Sequence, residues 1–205
     1  MTTVDVATPH GTAKAHVHAA AEPRAALVLG HGAAGGVGSP DLVAVRDVAL
    51  AEHMNVALIE QPYKVLGRRS PAPARQLDAS WTAVVDDLRA RELTDLPLVA
   101  GGRSLGARVA CRTAEATRAV AVLCLAFPVH PPGRPEANRL DELDAVTVPV
   151  LVVQGDRDPF GMPPPGDSRA VVPVPGNHSL KTDVDAVASA VRAWLPRVVP
   201  GVREW

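Results

Sequence analysis

The stretch that decides the fold is LPLVAGGRSLGARVA, residues 96–110. An apolar run leads into G-R-S-L-G and then into a helix-favouring stretch, which is the strand–turn–helix context of a nucleophile elbow. Glycines two positions either side of Ser104 leave room for a sharp, strained turn that a Cβ would block. The pattern predicts a serine hydroxyl at the mouth of a sheet and at a helix N-terminus, where backbone N–H groups favour negative charge.

Outward from the elbow, apolar strands alternate with helical segments. This alternation predicts a doubly wound, mostly parallel α/β sheet of about eight strands in a single domain, residues 1–205. Two short segments joined by Pro9-His10-Gly11 predict an N-terminal antiparallel hairpin. Ser39 is the expected cap of the first long helix, with Pro40 at its first position. The predicted strands are Val4–Thr8, Ala13–Ala19, Ala25–Leu29, Asn55–Glu60, Leu96–Ala100, Ala119–Phe127, Val148–Gln154 and Ala170–Val174. The predicted helices are Asp41–Met54, Ala74–Arg91, Ser104–Ala116, Ala137–Leu143 and Thr182–Leu195. Loops are predicted at Gln61–Pro73 and Pro128–Pro135.

A serine nucleophile needs a base that accepts its proton and an acid that orients the base, both on loops at the carboxyl edge of the sheet. Asp156 and Asp158 follow the predicted strand that ends at Gln154. Asp158 is favoured as the acid because Pro159 stiffens the turn behind it, whereas Asp156 has the alternative of a turn residue bonded to its own backbone. His178 is the only histidine beyond Asp158, so the order of residues selects it as the general base.

The developing oxyanion needs backbone N–H donors. The residue after the nucleophile, Leu105, is the first expected donor, and the loop H-G-A-A-G-G at 31–36 supplies the second. Ala33 is favoured for that role, with Gly32 close behind. His31 is expected to shape the loop rather than to react.

Six segments of the chain then carry a resemblance to a known family. They are LGHGAAGG (29–36), EQPYKVLGRRSPAP (60–73), GGRSLGARVA (101–110), FPVHPPGRPE (127–136), and VPVLVVQGDRDPFG (148–161) with GNHSLK (176–181). Together they resemble small α/β-hydrolase-fold proteins close to the dienelactone-hydrolase-like branch, a group that includes testis-expressed and chromatin-complex hydrolase-like proteins. The resemblance implies an α/β-hydrolase fold with Ser104, Asp158 and His178 as nucleophile, acid and base.

The segment after Asp158 departs from the usual parallel crossover, which normally contains a helix. Pro163-Pro164-Pro165 exclude a helix, so an irregular crossover is predicted that would widen the pocket or displace Asp158. Every segment between strands is short, so no cap domain is expected and the site should be an open cleft. Arg68 and Arg69 lie on a loop where they would favour an acidic substrate or simply be solvated. The candidate pocket residues are His31, Tyr63, Arg103, His130 and Phe160.

Composition excludes several classes of function. The net charge is −1 and aromatic residues make up 3% of the chain, so neither nucleic acid nor an anionic membrane is an expected partner. The N-terminus lacks a signal-peptide pattern and no apolar stretch reaches membrane-spanning length, so a cytoplasmic location is expected. Cys111 and Cys124 lack metal or redox spacing and are expected to be buried thiols. No metal or organic cofactor is implied, and a monomer or homodimer is expected.

These observations predict a serine hydrolase that cleaves carboxylic esters or thioesters of small to medium substrates through an acyl-enzyme. Acyltransferase or lyase chemistry on the same triad, and a non-catalytic interaction domain on the same fold, are the alternatives. A dinucleotide-binding domain is a further alternative, because GHGAAG at 30–35 fits G-x-G-x-x-G and Glu60 ends the next strand. The hairpin before this motif and the glycine-rich loop after it argue against that alternative.

Overall fold

The computed structural model describes residues 1–199. The end of the predicted domain, residues 200–205, lies outside the described residues. Within the described part, eight strands form one sheet in the order β1-β2-β4-β3-β5-β6-β7-β8. The strands are β1 (Thr2–Thr8), β2 (Gly11–His18), β3 (Ala25–Gly30), β4 (Met54–Glu60), β5 (Leu98–Arg103), β6 (Ala121–Leu125), β7 (Val150–Gly155) and β8 (Arg169–Val174). The helices are α1 (Pro40–Ala51), α2 (Pro62–Val65), α3 (Ala74–Arg91), α4 (Leu105–Thr113), α5 (Leu140–Asp144) and α6 (Val184–Val198).

The predicted fold class is confirmed by the pairing of the strands. β1 and β2 form an antiparallel hairpin, and β2 continues antiparallel onto β4. All pairs from β4 through β8 are parallel. The carboxyl ends of β3 to β8 therefore meet at one edge, and the described residues place no cap domain over it.

Two hydrophobic layers cover the sheet, one on each face. Side chains alternate in direction along a strand, so Ala26 and Val28 of β3 pack on one face and Leu27 and Leu29 on the other. The first face is covered by α3 and α4, with Trp81 fully buried among its residues. The second face is covered by α1 and α6. This double cover buries the central strands completely and holds the loops at the carboxyl edge on a rigid base.

Several element boundaries differ from the predictions. The predicted loop over residues 61–73 contains the short helix α2, and the helix predicted from Ala137 begins at Leu140. Ser39 occupies the predicted N-cap position of α1 and Pro40 follows it, but the side chain of Ser39 makes no capping hydrogen bond. The crossover from β7 to β8 contains no helix, as its three prolines predicted. No helix in residues 1–199 is long and apolar enough to cross a membrane.

Candidate active site

Ser104 occupies the sharp turn between β5 and α4. Its backbone has φ 52° and ψ −103°, a strained conformation for a residue with a side chain, and its N–H donates to the carbonyl of Leu125 at 2.9 Å. The turn lies directly against β3. A Cβ on Gly102 would lie 2.6 Å from the carbonyl oxygen of Gly30, and a Cβ on Gly106 would overlap the same peptide. The two glycines of G-x-S-x-G are therefore required by close backbone packing around the elbow.

Ser104, His178 and Asp158 form one hydrogen-bonded chain. His178 Nε2 lies 2.9 Å from Ser104 Oγ, and His178 Nδ1 lies 2.8 Å from Asp158 Oδ2. Because a carboxylate only accepts hydrogen bonds, Nδ1 carries the proton and Nε2 presents a lone pair to the serine hydroxyl. Phe160 packs edge-on against the imidazole, with ring centroids 4.5 Å apart. The arrangement orients an imidazole to accept a proton from Ser104.

Asp158 is held in place by a buried glutamine that the sequence analysis did not single out. The amide nitrogen of Gln154 lies 2.9 Å from Asp158 Oδ2, 3.0 Å from the carbonyl of Phe127 and 2.8 Å from that of Gly161. All three partners are acceptors, so the amide must present its NH₂ group here. The backbone N–H of Phe160 donates to Asp158 Oδ1 at 2.9 Å. These bonds secure the helix-free crossover, and Asp158 is not displaced from His178.

Asp156 has a different partner from the one expected. Its Oδ1 accepts from the N–H of Gly176 at 2.9 Å, on the loop that precedes His178, rather than from its own turn. Its side chain is 52% exposed, against 1% for Asp158. Asp158 therefore contacts the imidazole of His178. Asp156 instead links the loop after β7 to the loop after β8.

The candidate oxyanion donors lie beside the nucleophile. Leu105 is the first residue of α4, and its N–H has no hydrogen-bond partner among the described residues, nor do those of Gly32 and Ala33. A Cβ on Gly32 would lie 3.7 Å from Ser104 Cβ, so this loop touches the elbow. Ala33 and Leu105 also line the cleft together with Ser104, so their N–H groups are the candidates to bind an oxygen there.

His31 holds the peptide that carries the Ala33 N–H. Its Nδ1 lies 2.8 Å from the carbonyl of Gly32, which belongs to that peptide, and its Nε2 accepts from the N–H of Gln61 at 3.3 Å. Burial lowers the pKa of His31, in keeping with a neutral ring that donates at one nitrogen and accepts at the other. The Tyr63 hydroxyl donates to the carbonyl of Ala33 at 3.3 Å. His31 and Tyr63 therefore shape the loop from behind.

Arg103, within the G-R-S-L-G motif, ties three parts of the site together. Its Nη2 donates to the carbonyl of His178 at 2.9 Å. Its Nε lies 3.1 Å from Asp41 Oδ2, a fully buried carboxylate at the start of α1 that has no other polar partner in the described part of the chain. A Cβ on Gly32 would lie 2.7 Å from Arg103 Nη1. The charged pair therefore links the elbow, the histidine loop and the loop of Gly32.

An open cleft of about 500 Å³ lies over Ser104. Of the predicted pocket residues, Arg103 and Phe160 line it, whereas His31 and Tyr63 lie behind its wall and His130 contacts the ring of Phe160. Three further arginines, Arg108, Arg112 and Arg139, lie in the wall and were not among the predicted pocket residues. The lining comprises Ala33, Ala34, Pro71, Ala72, Ala74, Leu77, Arg103, Ser104, Leu105, Arg108, Arg112, Pro128, Pro132, Arg139, Phe160 and His178.

Two sequence features relevant to cofactor binding were compared with the structure. No group of three or more His, Cys, Asp or Glu side chains in residues 1–199 is placed to hold a metal ion. The helix after the GHGAAG motif begins only at Pro40, outside the motif, whereas a dinucleotide fingerprint requires a helix that begins within it.

Comparison with known proteins identifies the fold family. A family profile described as an alpha/beta hydrolase domain matches residues 23–188. An α/β serine hydrolase without lid from Xanthomonas campestris is similar in structure, with a TM-score of 0.82 and 19% identity, over 98% of this chain and 95% of that chain. Est1E from Butyrivibrio proteoclasticus gives a TM-score of 0.77 and 16% identity, over 96% of this chain and 98% of that chain.

Dienelactone hydrolase from Anabaena variabilis gives a TM-score of 0.76 and 18% identity, over 97% of both chains. No curated protein sequence matches this one. At such identities the structural likeness establishes the fold, and the family profile covers most of the sequence. The chain therefore belongs to the alpha/beta hydrolase domain family.

Proposed function

We propose that this protein is a serine hydrolase that cleaves carboxylic esters or thioesters of small to medium substrates. The observation that carries the proposal is the chain of hydrogen bonds from Ser104 through His178 to Asp158, at 2.9 and 2.8 Å, at the floor of an open cleft. A hydroxyl, an imidazole of defined tautomer and a buried carboxylate in this order form the arrangement that activates a serine for acyl transfer.

In the proposed reaction, Ser104 Oγ attacks the carbonyl carbon while His178 Nε2 takes the hydroxyl proton. Asp158 stabilises the imidazolium through Nδ1–H, and the N–H groups of Leu105 and Ala33 bind the oxyanion. His178 then returns the proton to the departing alcohol or thiol, which leaves an acyl-Ser104 ester. A water molecule deprotonated by His178 attacks that ester, and Ser104 leaves with the proton as the acid product is released.

The cleft supports a substrate of modest size. More than half of its lining residues are alanine, proline or leucine, which favours a substrate with an apolar portion. The similar structures include one named a dienelactone hydrolase and one, Est1E, solved with ferulic acid bound. Carboxylic esters and lactones are therefore the first compounds to test.

The deciding experiment is covalent labelling with a fluorophosphonate probe, read by intact mass. We expect one adduct on the wild-type protein and none on Ser104→Ala, because only an activated serine attacks phosphorus at a useful rate. A panel of p-nitrophenyl esters of increasing chain length then gives the acyl preference. Ser179→Ala is the matched control, since Ser179 bonds within its own loop to Asn177 and should still allow full labelling. A well-folded wild-type protein that takes no label would refute the proposal and favour the non-catalytic interaction domain.

A further inference from the structure

The cleft wall that runs away from Ser104 is positively charged. Four arginines line the cleft, and no aspartate or glutamate is among its described lining residues. Arg108 and Arg112 project from α4, and Arg139 lies directly before α5. Guanidinium groups with no carboxylate on the same surface are suited to an anion.

Three of the four arginines are already neutralised by carboxylates behind the wall. Arg103 pairs with Asp41, as described above. Arg108 binds Glu142 through two hydrogen bonds of 2.8 and 2.5 Å. Arg112 binds Asp78 through two hydrogen bonds of 2.8 and 2.6 Å and also contacts Glu142 at 3.2 Å.

The fourth, Arg139, is left without a counter-ion. Its side chain makes no hydrogen bond or ion pair within residues 1–199, although it is partly buried and lines the cleft. Burial and the positive charges of Arg108 and Arg112 lower the pKa of Arg139, with Glu142 acting in the opposite direction. The guanidinium of Arg139 therefore has no carboxylate in direct contact with it among residues 1–199, and a bound anion would pair with it.

Helix geometry gives the distances of Arg108 and Arg112 from the nucleophile. Arg108 and Arg112 lie four and eight positions after Ser104, on the same face of α4. At a rise of about 1.5 Å per residue, they stand roughly 6 and 12 Å along the helix from the serine. Arg139 is close enough to both arginines for their charges to act on it. Because Arg139 and Ser104 line the same cleft, one substrate molecule can place an anionic group at Arg139 and its carbonyl at Ser104.

We propose that the preferred substrate is an ester or thioester that carries a distal carboxylate or phosphate group, bound by Arg139 next to Arg108 and Arg112, which stand roughly 6 and 12 Å along α4 from Ser104. This inference rests on the proposed function and narrows its substrate class. Arg139 acts as a specificity residue: it binds the distal anion, while the apolar lining between it and Ser104 contacts the connecting chain.

The test compares charged esters with neutral esters of the same length. In the acyl arm, mono-p-nitrophenyl adipate and suberate are compared with their methyl-capped diesters; shorter diacids are avoided because their carboxylate attacks its own ester. In the leaving-group arm, a phenyl butyrate with a para-carboxymethyl group is compared with its methyl ester. We expect the charged compound of at least one arm to have a kcat/KM about tenfold higher in wild type, and a preference that shrinks as salt is added.

In Arg139→Gln the ratio of charged to neutral kcat/KM should fall to about one. The matched control is Arg134→Gln, because Arg134 is an exposed arginine of the same loop whose side chain, within residues 1–199, pairs only with Glu136, and it should keep the wild-type ratio. A wild-type ratio near one in both arms, or a preference that survives in Arg139→Gln, would overturn the inference.

Calorimetry on Ser104→Ala gives a readout that needs no turnover. The charged esters should bind more tightly than the neutral ones, and the difference should vanish in Ser104→Ala/Arg139→Gln. If the wild-type protein hydrolyses neutral and charged esters equally well and Ser104→Ala hydrolyses neither, only the proposed anion site is wrong. Should Ser104→Ala hydrolyse as fast as wild type, the proposed function is wrong, and calorimetry still decides whether Arg139 binds anions.

Discussion

The hydrogen bonds around Asp158 make Asp158→Asn the most informative single substitution. Oδ2 lies 2.9 Å from the amide nitrogen of Gln154 and 2.8 Å from His178 Nδ1, and Oδ1 accepts from the N–H of Phe160 at 2.9 Å. All three neighbours present N–H groups, so the new amide nitrogen faces a donor in either orientation. The side chain is 1% exposed, so water does not relieve the mismatch.

The two orientations of the introduced amide fail for different reasons. With its nitrogen toward Phe160, the amide leaves a buried N–H group facing another donor, which costs about 1–3 kcal/mol. With its nitrogen toward His178, the imidazole must accept at Nδ1 and carry its proton on Nε2, so it no longer takes the proton of Ser104. A wrong tautomer of this kind costs about 10⁴-fold in turnover in serine protease triads. We expect kcat/KM to fall by about 10³- to 10⁴-fold and the free energy of unfolding by about 1–3 kcal/mol.

The assay measures kcat/KM for the best p-nitrophenyl ester and urea unfolding on the same preparations. Asp156→Asn is the matched control, because Asp156 is half-exposed and an amide oxygen retains its bond to the Gly176 N–H. Its activity should stay within about threefold of wild type. The reasoning is refuted if Asp158→Asn keeps more than about a tenth of the activity, or if Asp156→Asn loses more than Asp158→Asn does.

Three further outcomes follow from the packing of buried residues. Gly106→Ala should lower the free energy of unfolding by about 3 kcal/mol, because its Cβ overlaps a β3 peptide, whereas Gly35→Ala, with open space around its Cβ, should be close to neutral in urea unfolding. Cys111 and Cys124 are buried with their sulfurs 3.5 Å apart, and this hydrogen bond together with burial raises the pKa of Cys124. A maleimide should therefore label neither thiol in the native protein at neutral pH and both in denaturant, as read by intact mass; rapid native labelling would contradict the burial. Burial lowers the pKa of His31 from 6.5, so the folded state binds fewer protons than the unfolded state just below that pH. The stability advantage of wild type over His31→Phe should thus shrink as the pH falls below about 6.5 in urea unfolding, and an advantage that grows on acidification would contradict a neutral His31.

Most of the fold was predictable because its elements depend on local patterns. The predicted helix Ala74–Arg91 is α3 with the same ends, and the apolar runs of the chain became the buried central strands. Apart from the short helix α2, which lies within a predicted loop, the misses are at the ends of elements. The strand predicted over Ala119–Phe127 spans only Ala121–Leu125, because Ala126 has φ 51°, a left-handed conformation that ends an extended segment. Nothing in the local pattern of an alanine signals that conformation.

In the candidate site, the three residues of the hydrogen-bonded chain were predictable from the sequence, whereas the polar residues around them were not. The order Ser104, Asp158, His178 and the motifs around them placed three side chains that the structure brings into one hydrogen-bonded chain. Buried polar partners were missed, since a glutamine at the end of an apolar strand has no pattern that reveals three acceptors around it. The signal available for Gln154 was its polarity within a strand that is otherwise fully apolar.

The sequence by itself determined the alternation of strands and helices, the elbow at Ser104 and the positions of its partners after later strands. These depend on periodicity, glycine spacing and turn signals within short segments. Only the tertiary structure decided that Arg103 reaches Asp41 and the carbonyl of His178, and that Arg139 faces the cleft without a counter-ion among residues 1–199. Such features depend on contacts between residues that are far apart along the chain and meet only after the sheet has formed. A local sequence pattern carries no information about those contacts.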